Sequence, residues 1–115
     1  SPDQAFDALV ASFPHTDVVL TQGQHGLLCY DAERGQQWRM NAFVVEPVDE
    51  TAAGDSFVGY LMASLVAGQT LADALPRASA AGALAVTREG AAPSIPAQNE
   101  VAALLGRQAV STTAR

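Results

Sequence analysis

The sequence predicts an α/β fold. Three observations carry this expectation. The chain opens on apolar residues at helical spacing, continues through short β-branched runs broken by glycine, and ends in a long stretch with helix cap and stop signals. Its 115 residues make one domain, or a piece of a larger one. Hydrophobic residues are 49% and charged ones 16%, which excludes a disordered chain. Twelve acids against six Lys and Arg give a net charge of −6, so neither nucleic acid nor an anionic membrane is an expected partner. Cys29 is alone, which rules out an internal disulfide, and no Cys/His cluster suggests zinc. The longest apolar stretch, 57–67, is too short to span a bilayer.

Ser1-Pro2-Asp3 supplies a helix cap, a first-turn proline and a first-turn acid. Ala5, Phe6, Leu9, Val10 and Phe13 follow at helical spacing, and Pro14 stops the helix. Asp17 to Thr21 has no polar alternation, which suits a strand buried on both faces of a parallel sheet. Gly23 and Gly26 bracket a turn. Strands are expected over 26–30 and 37–40, joined by a hairpin loop at 31–35 that ends in Gly35. A further strand is expected over 43–48. A helix runs from Asp55 to Ala67 with Gly68 behind it. Thr70 caps the next helix, with Asp73 three residues on. Pro76 is expected to kink or break that helix, which resumes from Ala78 to Val86. An irregular segment around Pro93 and Pro96 leads to a short helix, Glu100 to Leu105, and to a frayed tail over 111–115.

The chemistry concentrates in Asp49-Glu50-Thr51-Ala52-Ala53-Gly54-Asp55-Ser56-Phe57. Small residues stand where a loop becomes a helix, so backbone N–H groups without intrahelical partners are open to a ligand. With the helix dipole they form an anion hole suited to phosphate. Asp55 follows at once and can accept a proton from an attacking hydroxyl. Taken alone, the segment reads more simply as an ordinary capped turn. Gly59 in the helix interior costs about 1 kcal/mol against alanine, which points to close packing or ligand approach there. His15, His25, Arg34, Arg39 and Arg107 are expected at the surface, with Trp38 and Cys29 in the interior.

The segment resembles the second signature of the ribokinase-like sugar kinases, the phosphofructokinase-B family, which reads Asp-Thr-x-Gly/Ala-Ala-Gly-Asp-Ser/Thr-Phe. Thr21-x-Gly23-x-x-Gly26 is similar to the family's nucleotide turn. Ala85-Val86-Thr87-Arg88-x-Gly90-Ala91-x-Pro93-Ser94-x-Pro96 is similar to its C-terminal loop. Glu50 and Gln22 depart from the pattern, since the family usually has Thr and an apolar residue there.

The resemblance implies the C-terminal part of a ribokinase-like three-layer α/β/α sandwich, with residues 1–110 as its nucleotide-binding part and 111–115 as a flexible tail. It implies a cytoplasmic kinase, a homodimer when intact, that moves the γ-phosphoryl group of ATP to a primary hydroxyl of a pentose such as ribose. A nucleoside, a hexose phosphate or a ketodeoxy sugar acid is the alternative acceptor, and a non-catalytic nucleotide-binding remnant the alternative protein. Asp55 becomes the catalytic base and Ala52, Ala53 and Gly54 the anion hole. Thr21, Gly23, Gly26, Gly54 and Ser79 become nucleotide contacts. Asp49, Thr51, Ala85, Arg88, Gly90 and Ser94 become the shell of a monovalent cation, K+. Mg2+ is implied with ATP, although the family's Asn-x-x-Glu segment has no counterpart. Most of the sugar site and the lid are also missing, so these 115 residues alone are expected to be inactive.

Overall fold

The computed structural model describes residues 1–90 and 95–115. The chain divides into two compact units, 1–42 with 110–115, and 43–109.

The first unit opens on α1 (Pro2–Ser12). The Ser1 hydroxyl accepts from the Gln4 N–H, and Gln4 reaches back to the cap. Phe6 is fully buried. Four antiparallel strands follow in the order β1 (Val18–Thr21), β2 (Leu27–Asp31), β3 (Gln36–Met40) and β4 (Thr112–Ala114). The hairpin expected at 31–35 joins β2 to β3, with Cys29 opposite Trp38. Its turn is tied by Asp31, which accepts from the Arg34 N–H at 3.1 Å and its guanidinium at 3.0 Å.

Four sequence expectations change here. The strand buried on both faces is β2, where Leu27, Leu28 and Cys29 are all buried. Strand β1 lies at the sheet edge and is half-buried. An apolar run does not reveal whether it will have one neighbour or two, and these strands pair antiparallel rather than parallel. The expected tail instead forms β4, paired to β3. Arg115 holds it there: its guanidinium donates to Asp7 at 2.9 Å and to Gln37 at 2.7 Å, and lies 5.0 Å over the Phe6 ring. Arg39 is not simply solvated, because it donates to Asp3 at 2.7 Å. This contact, with help from Arg115, holds the Asp3 carboxyl below its usual value. Burial, with Asp17 and Asp31 nearby, pushes the Cys29 thiol up to about 12.

The fourth change concerns residues 43–48, which form no strand. The side-chain amide of Gln108 takes the place of a strand neighbour. It accepts from the Val44 N–H at 3.0 Å and donates to the Val44 carbonyl at 2.9 Å.

The second unit is helical. It contains α2 (Ala53–Val66), α3 (Leu71–Val86) and α4 (Gln98–Arg107). Thr70 caps α3 by accepting from the Asp73 N–H at 3.2 Å. Pro76 lies inside α3 without ending it. The lost N–H would have bonded the carbonyl of Ala72, an exposed residue where water can serve. Ala74, Ala78, Ala81 and Ala85 are fully buried on α3. Gly82 meets α2 so closely that a Cβ there would lie 3.3 Å from the Ala53 carbonyl oxygen. Small side chains thus let α3 pack tightly on the start of α2. Among the described residues no helix is long and apolar enough to cross a membrane.

Candidate active site

The site is built on the first turn of α2. Ala52 is the N-cap, with no side chain to satisfy the helix donors. The Ser56 N–H makes the first helical bond, to the Ala52 carbonyl at 2.9 Å. The Gly54 and Asp55 N–H groups have no hydrogen-bond partner among the described residues. Both residues are exposed, and a Cβ on Gly54 would meet nothing within 4 Å. The helix therefore begins with open donors, positive dipole and free space, as an anion site requires. The Asp55 carboxylate stands on the same turn.

One expected member of the hole is altered. The Ala53 N–H is taken by the Glu50 carbonyl at 3.2 Å, so Gly54 and Asp55 are the open donors of this turn. Sequence reasoning did not single out Ser56. It is 3% exposed, and its hydroxyl has no partner among the described residues. An orphaned donor inside a helix leaves no periodic signal. Beside it, an open cleft of about 580 Å³ is lined by Asp55, Ser56, Tyr60, Arg77, Gln69 and Gln98, among others. Tyr60, one of the lining residues, donates its hydroxyl to the Pro96 carbonyl.

Upstream of α2, the Val48 and Asp49 N–H groups donate to the Val86 carbonyl at 2.6 and 3.0 Å, which pins this loop to the C-terminus of α3. Asp49 then accepts from the Thr51 hydroxyl, the Thr51 N–H at 2.9 Å and the Gly90 N–H at 3.2 Å. Five of the six proposed cation residues are therefore gathered around one helix end. Ser94 lies outside the described residues. The Ala85 carbonyl is engaged by the Thr87 and Arg88 N–H groups, whereas those of Thr51 and Arg88 accept no hydrogen bond among the described residues. The Arg88 side chain turns to α4 and donates to Glu100. The Ala97 N–H, and after it Arg88, holds the Glu100 carboxyl below its usual value.

The Thr51 hydroxyl first, then the Thr51 and Gly90 N–H groups, hold Asp49 below the ordinary carboxyl value of 3.8. A carboxyl lowered by folding contributes stability above its unfolded pKa and loses it as pH falls through the folded value. The Asp49 clamp is thus expected to hold at neutral pH and to release only below 3.8. Carbon-13 titration of this carboxyl, read beside the Gly90 amide shift, checks it. A midpoint at or above 3.8 would contradict the clamp.

Thr21, Gly23 and Gly26 lie in the first unit, in the turn between β1 and β2. The Gln22 N–H donates to the Gly26 carbonyl at 2.8 Å, closing a tight loop whose residues 23–25 are exposed. Ser79 is half-buried on α3, in the second unit.

The model of the pfkB family carbohydrate kinases matches residues 3–98. The chain belongs to the pfkB family. It is 42% identical over 84 residues to the ribokinase of Schizosaccharomyces pombe, covering 73% of this chain and 26% of that protein. It is 34% identical over 96 residues to a fructokinase of Vibrio alginolyticus, covering 78% and 31%. Its fold matches the structure of Arabidopsis thaliana ribokinase complexed with ribose and ATP. There the TM-score is 0.80 and the identity 26%, over 91% of this chain and 34% of that one. The fold is thus part of the ribokinase α/β fold. The chain spans between a quarter and about a third of the length of these relatives.

Proposed function

We propose that the protein carrying these residues is an ATP-dependent sugar kinase, acting on a primary hydroxyl of a pentose such as ribose. The observation that carries this reading is the start of α2, where open Gly54 and Asp55 N–H groups stand beside the Asp55 carboxylate. ATP, when bound, supplies the phosphoryl group: a bond forms from the sugar oxygen to the γ-phosphorus, the bridge to the β-phosphate breaks, and ADP leaves. Asp55 takes the proton of the attacking hydroxyl. The Gly54 and Asp55 N–H groups hold negative charge developing on the phosphoryl oxygens, a role that Ala52 and Ala53 serve by keeping the turn small. Thr21, Gly23 and Gly26 would contact the nucleotide phosphates and ribose. Ser79 would stand on the wall of the base slot.

No group of three or more His, Cys, Asp or Glu gathers among the described residues, so Mg2+ is assigned no ligand in this chain. It would be held chiefly by phosphate oxygens, as is usual for that ion. The K+ proposal has better support here. The C-terminal end of α3 carries partial negative charge, and the carbonyls of Thr51 and Arg88, which accept no hydrogen bond among the described residues, suit a weakly hydrated cation. Asp49, Ala85 and Gly90 order the loops around it, and Ser94 would complete the shell. K+ is expected to raise turnover above that in Li+ at fixed ionic strength. Equal rates in K+, Na+ and Li+ would count against the site.

A hexose acceptor is the second reading, favoured by the similarity to the Vibrio fructokinase. An ADP-release assay with ribose, fructose, a nucleoside, a hexose phosphate and a ketodeoxy sugar acid decides among acceptors. Release that no sugar stimulates would leave the nucleotide-binding remnant. Cytoplasmic location and a homodimer belong to the same proposal.

A further inference from the structure

Strand β4 is short, and Thr112, Thr113 and Ala114 are all exposed. A strand that buries none of its own side chains should fray unless something ties it down. It lies beyond residues 3–98, so the family match assigns it no role. Two things hold it. One is backbone pairing with β3, which extends to the Asn41 N–H on the Ser111 carbonyl and the Arg115 N–H on the Gln37 carbonyl, both at 3.0 Å. The other is the Arg115 guanidinium, whose side chain is only 18% exposed. It donates to Asp7 at 2.9 Å, Gln37 at 2.7 Å and Asp3 at 3.3 Å. Asp3 also accepts from Arg39 of β3, so this latch ties β4 to α1 and β3 together.

The peptide between Met40 and Asn41 is where β4 meets the glycine turn. A peptide unit is planar and moves as one body. The N–H of this one donates to Ser111. Its oxygen is the Met40 carbonyl oxygen, which a Cβ on Gly26 would meet at 2.0 Å. The Gly26 carbonyl in turn accepts from the Gln22 N–H at 2.8 Å, which closes the loop. A continuous chain of contacts therefore runs from Arg115 through β4 and one rigid peptide into the turn, all within the first unit.

We propose that β4, latched by Arg115, is a positioning element for the turn at 21–26, and through it sets the affinity for adenine nucleotide. The second half rests on the reading of that turn as a nucleotide contact. With β4 released, the Met40–Asn41 peptide loses its hydrogen bond, and the oxygen behind Gly26 loses its fixed place. Arg115 acts through β4 and touches no reacting atom.

The test uses the 115-residue chain, Arg115→Ala, and the milder Arg115→Lys, which keeps the charge but not the planar fork. Hydrogen exchange and nitrogen-15 amide shifts are first measured without nucleotide. Arg115→Ala is expected to speed exchange at Asn41 on the order of tenfold or more, and to move the Gly23 and Gly26 amides. Arg115→Lys should move the same amides in the same direction by less. ATP should then bind Arg115→Ala about fivefold or more weakly than the wild-type chain. Unmoved turn amides beside fast exchange at Asn41 overturn the proposal, because β4 would then be an edge cover alone. Unchanged exchange at Asn41 overturns it too, since Arg115 would not be the latch. A shifted turn with unchanged ATP affinity overturns the nucleotide half. Wild-type amides at 21–26 that ignore ATP would instead refute the nucleotide reading itself, and the measurements without ATP still decide the coupling. Should Arg115→Ala unfold the first unit, Arg115→Lys carries the same comparison.

Discussion

Asp55→Asn is expected to lower turnover of the active kinase by about 10²–10⁴-fold, the usual contribution of a positioned general base. The amide keeps the shape of the carboxylate and leaves the Gly54 and Asp55 backbone donors in place. It cannot take a proton at the pH of the reaction. Binding of ATP should therefore change little, because the phosphate cradle is backbone and the loss falls on the chemical step. Measuring turnover and nucleotide affinity on the same variant separates the two. A variant with wild-type turnover would remove Asp55 from the role of base. One that loses nucleotide affinity in proportion would make it a binding residue instead.

The second large effect is on stability. Gly26 adopts φ +86°, and a Cβ there would lie 2.0 Å from the Met40 carbonyl oxygen and 3.1 Å from the Asn41 Cα. These are backbone atoms at the end of β3, so no rotamer can move them aside. Gly26→Ala combines the cost of a backbone conformation essentially reserved for glycine (φ +86°, ψ −144°), about 1–3 kcal/mol, with an overpacking cost of about 1–3 kcal/mol. A loss of about 3 kcal/mol would be a large share of the 5–15 kcal/mol that typically holds a domain folded. Gly23 is the internal control. Its φ of +55° also favours glycine, but a Cβ there would meet nothing within 4 Å. Gly23→Ala should therefore cost only the backbone part, about 1–2 kcal/mol. Urea unfolding of both variants gives the comparison. Equal losses would mean that the contact with β3 carries no weight.

These two glycines show how far the sequence could be read. The Thr21-x-Gly23-x-x-Gly26 spacing marked a turn, but only the β3 backbone lying against Gly26 makes that position obligatory. The start of α2 was legible because a capless small-residue turn must leave N–H groups without partners. That the Glu50 carbonyl would take the Ala53 donor depends on the path of the preceding loop, which no side-chain pattern encodes. The ends of α1, α2 and α4 were placed to within about two residues by apolar spacing and caps, as usual for helix ends, whereas the break expected at Pro76 is absent and α3 runs through it. The strands were less legible. Pairing partners of β1 and β2 lie in three dimensions, and Thr112–Ala114 is too short to show alternation. Residues 43–48 have strand composition, but Gln108 and the end of α3 meet their backbone groups instead of a neighbouring strand.

The central claim is that the first turn of α2 receives the phosphates of a nucleotide. A nitrogen-15 amide titration of the 115-residue chain with ATP tests it most directly, since the cradle is local to 52–55 and needs no turnover. Weak, saturable binding is the predicted result, with the Gly54 and Asp55 amides shifting most and the amides at the end of α2 unmoved. Shifts scattered over the surface, or saturable binding that leaves Gly54 and Asp55 unchanged, would contradict it.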